Sequence, residues 1–156
     1  RFRTGRYAAG LALCADYLEA YPKHPEAAAV VFLKGESQFF LGKYADAAGT
    51  FEQLLKAHPK HAQARAAQMH IGECHFFNKK WKDALAAFEK LADEKRTGAV
   101  FQQYDFNVGS CHYRLEDWEK AVVSFQLFTS RFPKAQNADT ALMKTDSSTS
   151  GARLRP

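Results

Sequence analysis

The chain has 156 residues, 46% of them apolar and 25% charged, with a formal net charge of +5. The positive excess is spread along the chain without a block of five like charges, so charge points to no nucleic-acid partner. No run approaches the roughly 18 apolar residues that a membrane span needs, so direct membrane insertion is not expected.

Residues 4–20 are expected to be helical, because Tyr7, Leu11, Cys14, Tyr17 and Leu18 fall three or four apart. They read as the second helix of a pair. Pro22 ends the helix, and the two prolines of YPKHP make a turn. Residues 26–41 form the next helix, closed by Gly42 in the left-handed conformation. Residues 44–57 are its partner, with Tyr44, Ala47, Ala48, Phe51, Leu54 and Leu55 on one face, and His58-Pro59-Lys60-His61 repeats the turn. The next pair is expected at 62–77 and 81–95, with Asn78 capping its first helix, since Asn tolerates the left-handed conformation second only to Gly, and Gly98 supplying the break. Residues 99–115 and 118–131 form another, with Glu116 and Asp117 at the positive end of its second helix. Pro133 restores the turn and residues 137–144 begin a further first helix. Residues 145–156, polar and rich in Ser and Thr, are expected to be a disordered tail, and their break with the register at 146, where the next Gly is due, raises a non-native origin.

The landmarks recur every 37 residues: Gly35, Gly72 and Gly109; Ala47, Ala84 and Ala121; Phe51, Phe88 and Phe125; Tyr7, Tyr44, Trp81 and Trp118. A period of this size marks stacked repeats, each burying its apolar face on its neighbours. The array is thus expected over residues 1–144, as a partial repeat 4–25, full repeats 26–61, 62–98 and 99–135, and a partial repeat 136–144. Glycine inside a helix costs about 1 kcal/mol relative to alanine. Its recurrence therefore implies close approach of the second helix at Ala47, Ala84 and Ala121. The large Phe side chains then fill the volume between pairs.

The order Gly35, Tyr44, Ala47, Phe51, Pro59, with its counterparts one and two periods on, resembles the tetratricopeptide repeat. That resemblance implies an all-α fold, a right-handed α-α superhelix of antiparallel helix pairs. The longer unit with its proline turn is similar to repeats of bacterial envelope proteins, such as the Tol-Pal-associated cell-division coordinator and outer-membrane assembly lipoproteins. It implies a periplasmic or envelope location, with a cytoplasmic one as the alternative. The chain departs from the family pattern at Gln38, His75 and His112, where an aromatic is usual; here the aromatic falls one place later, at Phe39, Phe76 and Tyr113.

By the same resemblance the function is a non-catalytic scaffold that holds a protein or peptide partner on its first helices. The groove positions map to Phe32, Glu36, Phe39 and Phe40, then Met69, Glu73, Phe76 and Phe77, then Phe106, Ser110, Tyr113 and Arg114. Half of these aromatics serve equally well as core between repeats. Self-association through uncapped ends, or service as an accessory domain of a larger protein, are the alternatives. Cys14, Cys74 and Cys111 read as buried small hydrophobes. The Cys74-His75 and Cys111-His112 pairs do not suit zinc, because adjacent helical residues point about 100° apart. No catalytic or phosphate-binding motif is present, and no cofactor or metal is expected.

Overall fold

The computed structural model describes residues 2–91 and 99–153. Among them are eight α-helices and no strand: α1 (Phe2–Ala20), α2 (Ala27–Phe40), α3 (Tyr44–Ala57), α4 (Ala64–Phe77), α5 (Trp81–Glu89), α6 (Ala99–Arg114), α7 (Trp118–Arg131) and α8 (Ala138–Arg153). Gly98 and the expected end of the fifth helix, residues 92–95, lie outside the described residues. The chain divides into two compact units, Arg1–Lys80 and Trp81–Pro156. In the N-terminal unit α1 packs on α2, α2 on α3 and α3 on α4; in the C-terminal unit α5 packs on α6, α6 on α7 and α7 on α8.

The 37-residue register is written into the backbone. At each proline turn a carbonyl accepts from the amide three residues on: Tyr21 from His24 at 3.2 Å, His58 from His61 at 3.0 Å, Phe132 from Ala135 at 3.0 Å. The next three-residue step then opens a helix, at Ala27, Ala64 and Ala138, each over 2.9 Å. First helices also end alike. Gly42 has φ 76°, Lys79 has φ 61° and Glu116 has φ 59°. The amides of Lys43, Lys80 and Asp117 then reach back to Gln38, His75 and His112, each at 2.9 Å. Asn78 caps α4 as expected, but with φ −79°; the left-handed residue is the next one, Lys79. The closing hydrogen bonds require the left-handed residue at the place of Gly42, and there the chain has Lys79 and Glu116. Glu116 accordingly stands outside α7, and Asp117 occupies the position before its first turn.

Phe51, Phe88, Phe125 and Phe128 are fully buried, with Ala47, Ala84 and Ala121 beside them in the core. The close approach at the glycines is to these rings, not to the alanines. A Cβ on Gly35 would lie 2.6 Å from Phe51 Cε1 and 2.7 Å from Cζ, and one on Gly109 would lie 2.9 Å from Phe125 Cδ1. The ring packs against the backbone of the helix before it, which leaves room for hydrogen alone. Gln38, where the family carries an aromatic, is buried and accepts a 2.6 Å hydrogen bond from the Thr50 hydroxyl. Between α6 and α7, Arg131 Nη1 donates to the buried carboxylate of Asp105 at 2.9 Å.

The C-terminal segment corrects the sequence reading. Residues 145–153 are helical, continuing α8, where disorder was expected. Ser148 is fully buried, one period after Cys111 and two after Cys74, both also fully buried. It fills the place of a small buried residue in a column that starts at Ser37. Gly151 packs on Trp118 so tightly that a Cβ would lie 3.0 Å from Cε2. Thr145 and Thr149 turn their hydroxyls back to the carbonyls of Ala141 and Thr145, both at 2.9 Å. The segment lacks large apolar residues because its neighbours supply the bulk.

Gly35→Ala should lower stability in urea unfolding by about 1–3 kcal/mol through overpacking against Phe51. Gly49→Ala, with no atom within 4 Å of the added carbon, should raise it by about 0.5–1 kcal/mol. Lys79→Gly or Glu116→Gly should stabilise by about the same amount, by relieving a left-handed non-glycine. Truncation after Lys144 should lower the melting temperature, whereas removal of an unstructured tail would leave it in place.

Candidate binding face

The first ring of each second helix is met by the residue 33 places later, at the end of the following first helix. Tyr7 stacks on Phe40 with centroids 4.7 Å apart, and Tyr44 on Phe77 at 5.0 Å, with planes within 21° and 18°. The C-terminal unit keeps the position and changes the chemistry. There the Arg114 guanidinium lies 5.8 Å from the Trp81 ring, and Trp118 receives Gly151. The displaced aromatics close a second contact: Phe39 meets Tyr44 edge-on at 5.4 Å, and Tyr113 meets Trp118 in the same way at 5.4 Å. The one-place shift from the family pattern therefore turns that aromatic onto the next helix.

A box of three aromatics recurs between successive first helices, and each box holds a cation. In the N-terminal unit the walls are Phe32, Phe39 and Phe51, whose centroids lie 6.0, 5.3 and 5.1 Å from the His70 ring; Phe51 stacks parallel to it at 17°. In the C-terminal unit the walls are Phe106, Tyr113 and Phe125, two periods on, and Lys144 Nζ lies 5.2, 5.6 and 5.7 Å from their centroids. A cation within about 6 Å of a ring face is attracted by the ring quadrupole.

His70 has carboxylates on both sides. Its Nδ1 is 2.9 Å from Glu73 Oε2 and its Nε2 is 3.8 Å from Glu36 Oε1. Burial opposes the charge on the imidazole, but Glu36 and Glu73 more than offset it and raise the pKa to about 9. His70 is thus an imidazolium at neutral pH. Lys144 is half-buried and has no such partner among the described residues; its Nζ donates to Ser110 Oγ at 3.4 Å. Burial, then the neighbouring charge of Arg114, hold its pKa below the ordinary lysine value.

The structure sorts the expected groove residues. Phe32 and Met69 are core, 4% and 5% exposed, so they present nothing to a partner. Phe32 is covered by Phe51, with centroids 5.5 Å apart. Glu36, Phe39, Glu73, Phe76, Phe106 and Tyr113 are half-buried, while Ser110 is buried. Phe40 and Phe77 are 48% and 50% exposed, and Arg114 is exposed. Leu33, two turns before Phe40 on α2, is also 50% exposed. His70 and Lys144 escaped the sequence reading. They belong to one 37-residue column, Leu33, His70, Asn107 and Lys144, whose identity changes at every step.

Cys74 and Cys111 are buried thiols, pushed by burial to about 12, and behave as small hydrophobes. His112 is half-buried with Nδ1 3.5 Å from Asp117 Oδ2, and burial lowers its pKa. Among the described residues no cluster of three or more His, Cys, Asp or Glu side chains could hold a metal ion. None of the described helices is long and apolar enough to cross a membrane.

Paired helices repeating at a fixed step around buried rings define an all-α helical-repeat protein. Two family models, both described as tetratricopeptide repeat, match residues 32–99 and 104–135, together more than half of the chain. The chain belongs to the tetratricopeptide repeat family. Its fold is similar to that of a Podosopora anserina chain described as a kinesin light chain with nearly identical TPR-like repeats. That likeness has a TM-score of 0.75 at 12% identity and covers 98% of this chain and 82% of the other. It is also similar to a MamA RS-1 double mutant, with a TM-score of 0.71 at 18% identity over 97% and 88% of the two chains. No curated protein sequence matches the chain.

The His70 cluster sets a pH dependence. The folded pKa of about 9 lies above the ordinary histidine value of 6.5, so the stabilisation is complete below about pH 6.5 and is lost as pH rises through about 9. The urea midpoint of the wild-type chain should exceed that of His70→Gln at pH 6, and the gap should shrink by pH 9.5. A ring-proton titration of His70 with a midpoint near 6.5 would contradict the assignment.

Proposed function

We propose that the chain is a non-catalytic scaffold that holds a peptide or partner helix against its first helices. Tetratricopeptide repeats generally serve as protein–protein interaction scaffolds. The observation that carries the reading is the pair Phe40 and Phe77. Each has one face ordered by a stacked ring, yet each is about half exposed. Rings held rigid and left open to solvent lose little entropy on binding, and aromatic anchors of this kind concentrate binding energy at interfaces. Leu33 extends the apolar surface along α2, and Glu36, Phe39, Glu73 and Phe76 border it with half-buried groups. In the C-terminal unit Tyr113 stands at the place of Phe39 and Phe76, and Arg114 at that of Phe40 and Phe77.

The 37-residue unit and its proline turns, similar to those of bacterial envelope proteins, support placing this partner in a cell-envelope complex on the periplasmic side. A second reading, self-association, is favoured by α8, where Leu142 and Met143 are 52% and 72% exposed.

The affinity of a captured partner should fall about tenfold or more in Phe40→Ala and Phe77→Ala, and in Leu33→Ser, which disturbs no ring stack. The helical circular dichroism should persist in all three. Unchanged affinity in all three variants would remove the first-helix face from the interface. For the second reading, sedimentation should show concentration-dependent mass that Met143→Lys abolishes; a monomer at high concentration contradicts it.

A further inference from the structure

The first two proline turns share a side chain that the third lacks. In each of them a histidine precedes the next first helix, and its Nδ1 accepts from the amide two residues on: His24 from Glu26 and His61 from Gln63, each at 3.2 Å. The His24 ring also stands edge-on to Tyr17 and Tyr21, with centroids 5.9 and 6.3 Å away, and its Nδ1 lies 2.8 Å from the Tyr17 hydroxyl. The third turn keeps the frame and drops the ring. Phe128 and Phe132 stand three periods after Tyr17 and Tyr21, with centroids 5.9 Å apart against 5.3 Å for the tyrosines. Ala138 donates to the Ala135 carbonyl at 2.9 Å, as Ala27 and Ala64 do to those of His24 and His61. The histidine position itself is Ala135.

An open cavity of about 320 Å³ lies at this turn, lined by Gln102 of α6, Arg131 at the end of α7, and Phe132, Pro133, Lys134 and Ala135. The amide of Asn137 holds the place of those of Glu26 and Gln63, yet has no acceptor among the described residues. Such a donor at a helix start is left to water or to a ligand. Arg131 is already engaged, since its Nη1 donates to the buried carboxylate of Asp105 at 2.9 Å.

We propose that this cavity binds the imidazole ring of a partner's histidine side chain, seated as His24 and His61 seat their own rings, with the Asn137 amide donating to its Nδ1. The chain itself fills the equivalent place with imidazole twice. Phe132 and Pro133 give the ring an apolar wall, and the Gln102 side-chain oxygen is an acceptor suited to Nε2–H. A carboxylate would suit Lys134 but would leave that apolar wall uncovered. Only the neutral ring has a lone pair at Nδ1, and Lys134 at the rim disfavours the charged form. The site stands at the opposite end of α6 from Arg114, so it does not rest on the reading of Phe40 and Phe77 as anchors.

The test follows the Asn137 amide by proton–nitrogen correlation NMR on the full chain as N-acetyl-histidine methylamide is added at about pH 7.5. The signal should shift and saturate with a midpoint in the millimolar range, an affinity within reach of so small a ligand. The phenylalanine and glutamate counterparts should bind about tenfold or more weakly, because one brings a ring without an acceptor and the other a charge without a ring. Moving to about pH 5.5 should weaken the histidine probe about tenfold, as the ordinary histidine pKa of about 6.5 is crossed and Nδ1 gains a proton. Ala135→His supplies an internal ring and should abolish the shift while raising the melting temperature. No saturable shift in the wild-type chain overturns the site. Equal binding of the phenylalanine counterpart reduces it to an apolar hollow, and equal or tighter binding of the glutamate counterpart makes it an anion site; either overturns the proposal. Undiminished binding in a folded Ala135→His places the probe elsewhere and does the same. The comparison of the three probes on the wild-type chain decides the ligand even where Ala135→His does not fold.

Discussion

The contact on which the molecule depends is the ring of Phe51 against the backbone of Gly35. The ring touches two helices besides its own. It packs on α2 at Gly35, meets Phe32 of that helix at an angle, and stacks on His70 of α4. Phe125 does the same with Gly109, Phe106 and Lys144. Because one side chain joins a helix to both its predecessor and its successor, the step between repeats is as rigid as the ring itself. Close packing makes that step intolerant of even one added carbon. This intolerance keeps glycine in a helix at Gly35 and Gly109, despite its poor helix propensity.

The rigid frame makes the charges legible. Two positions in successive first helices face the same box: the Glu36 position from one side and the His70 position from the other. In the N-terminal unit they hold an acid and a histidine, and the box is neutralised within the protein. In the C-terminal unit they hold a serine and a lysine, and among the described residues no carboxylate pairs with that lysine. The two halves of the chain therefore offer different chemistry through identical geometry. A repeat array specialises in this way, since a change at a box position alters the surface without disturbing the packing that positions it.

Much of the fold was legible because the landmark residues serve backbone geometry. Gly, Ala and Phe at fixed steps report where helices touch, and proline reports where they turn. The errors have physical causes. Asn78 looked like the left-handed residue because of its type, but the closing hydrogen bonds place that conformation one residue later, at Lys79. Residues 145–153 looked disordered because they carry no bulk, yet Ser148 and Gly151 are small because Trp118 and the preceding helices already fill the space. Phe32 and Phe40 looked equivalent as groove aromatics; one is sealed beneath Phe51 and the other lies half open beside Tyr7.

The amino-acid sequence by itself determined the period, the helix pairs and the positions of the close contacts, since these follow from spacing along a single helix or between neighbouring ones. Tertiary structure alone decided which rings are covered and which cation is paired. Exposure depends on what the next helix places overhead. The charge on His70 depends on two carboxylates brought from different turns and different helices, α2 and α4. No pattern along the chain reports that convergence, because the residues that meet there are those that the repeat leaves free to vary.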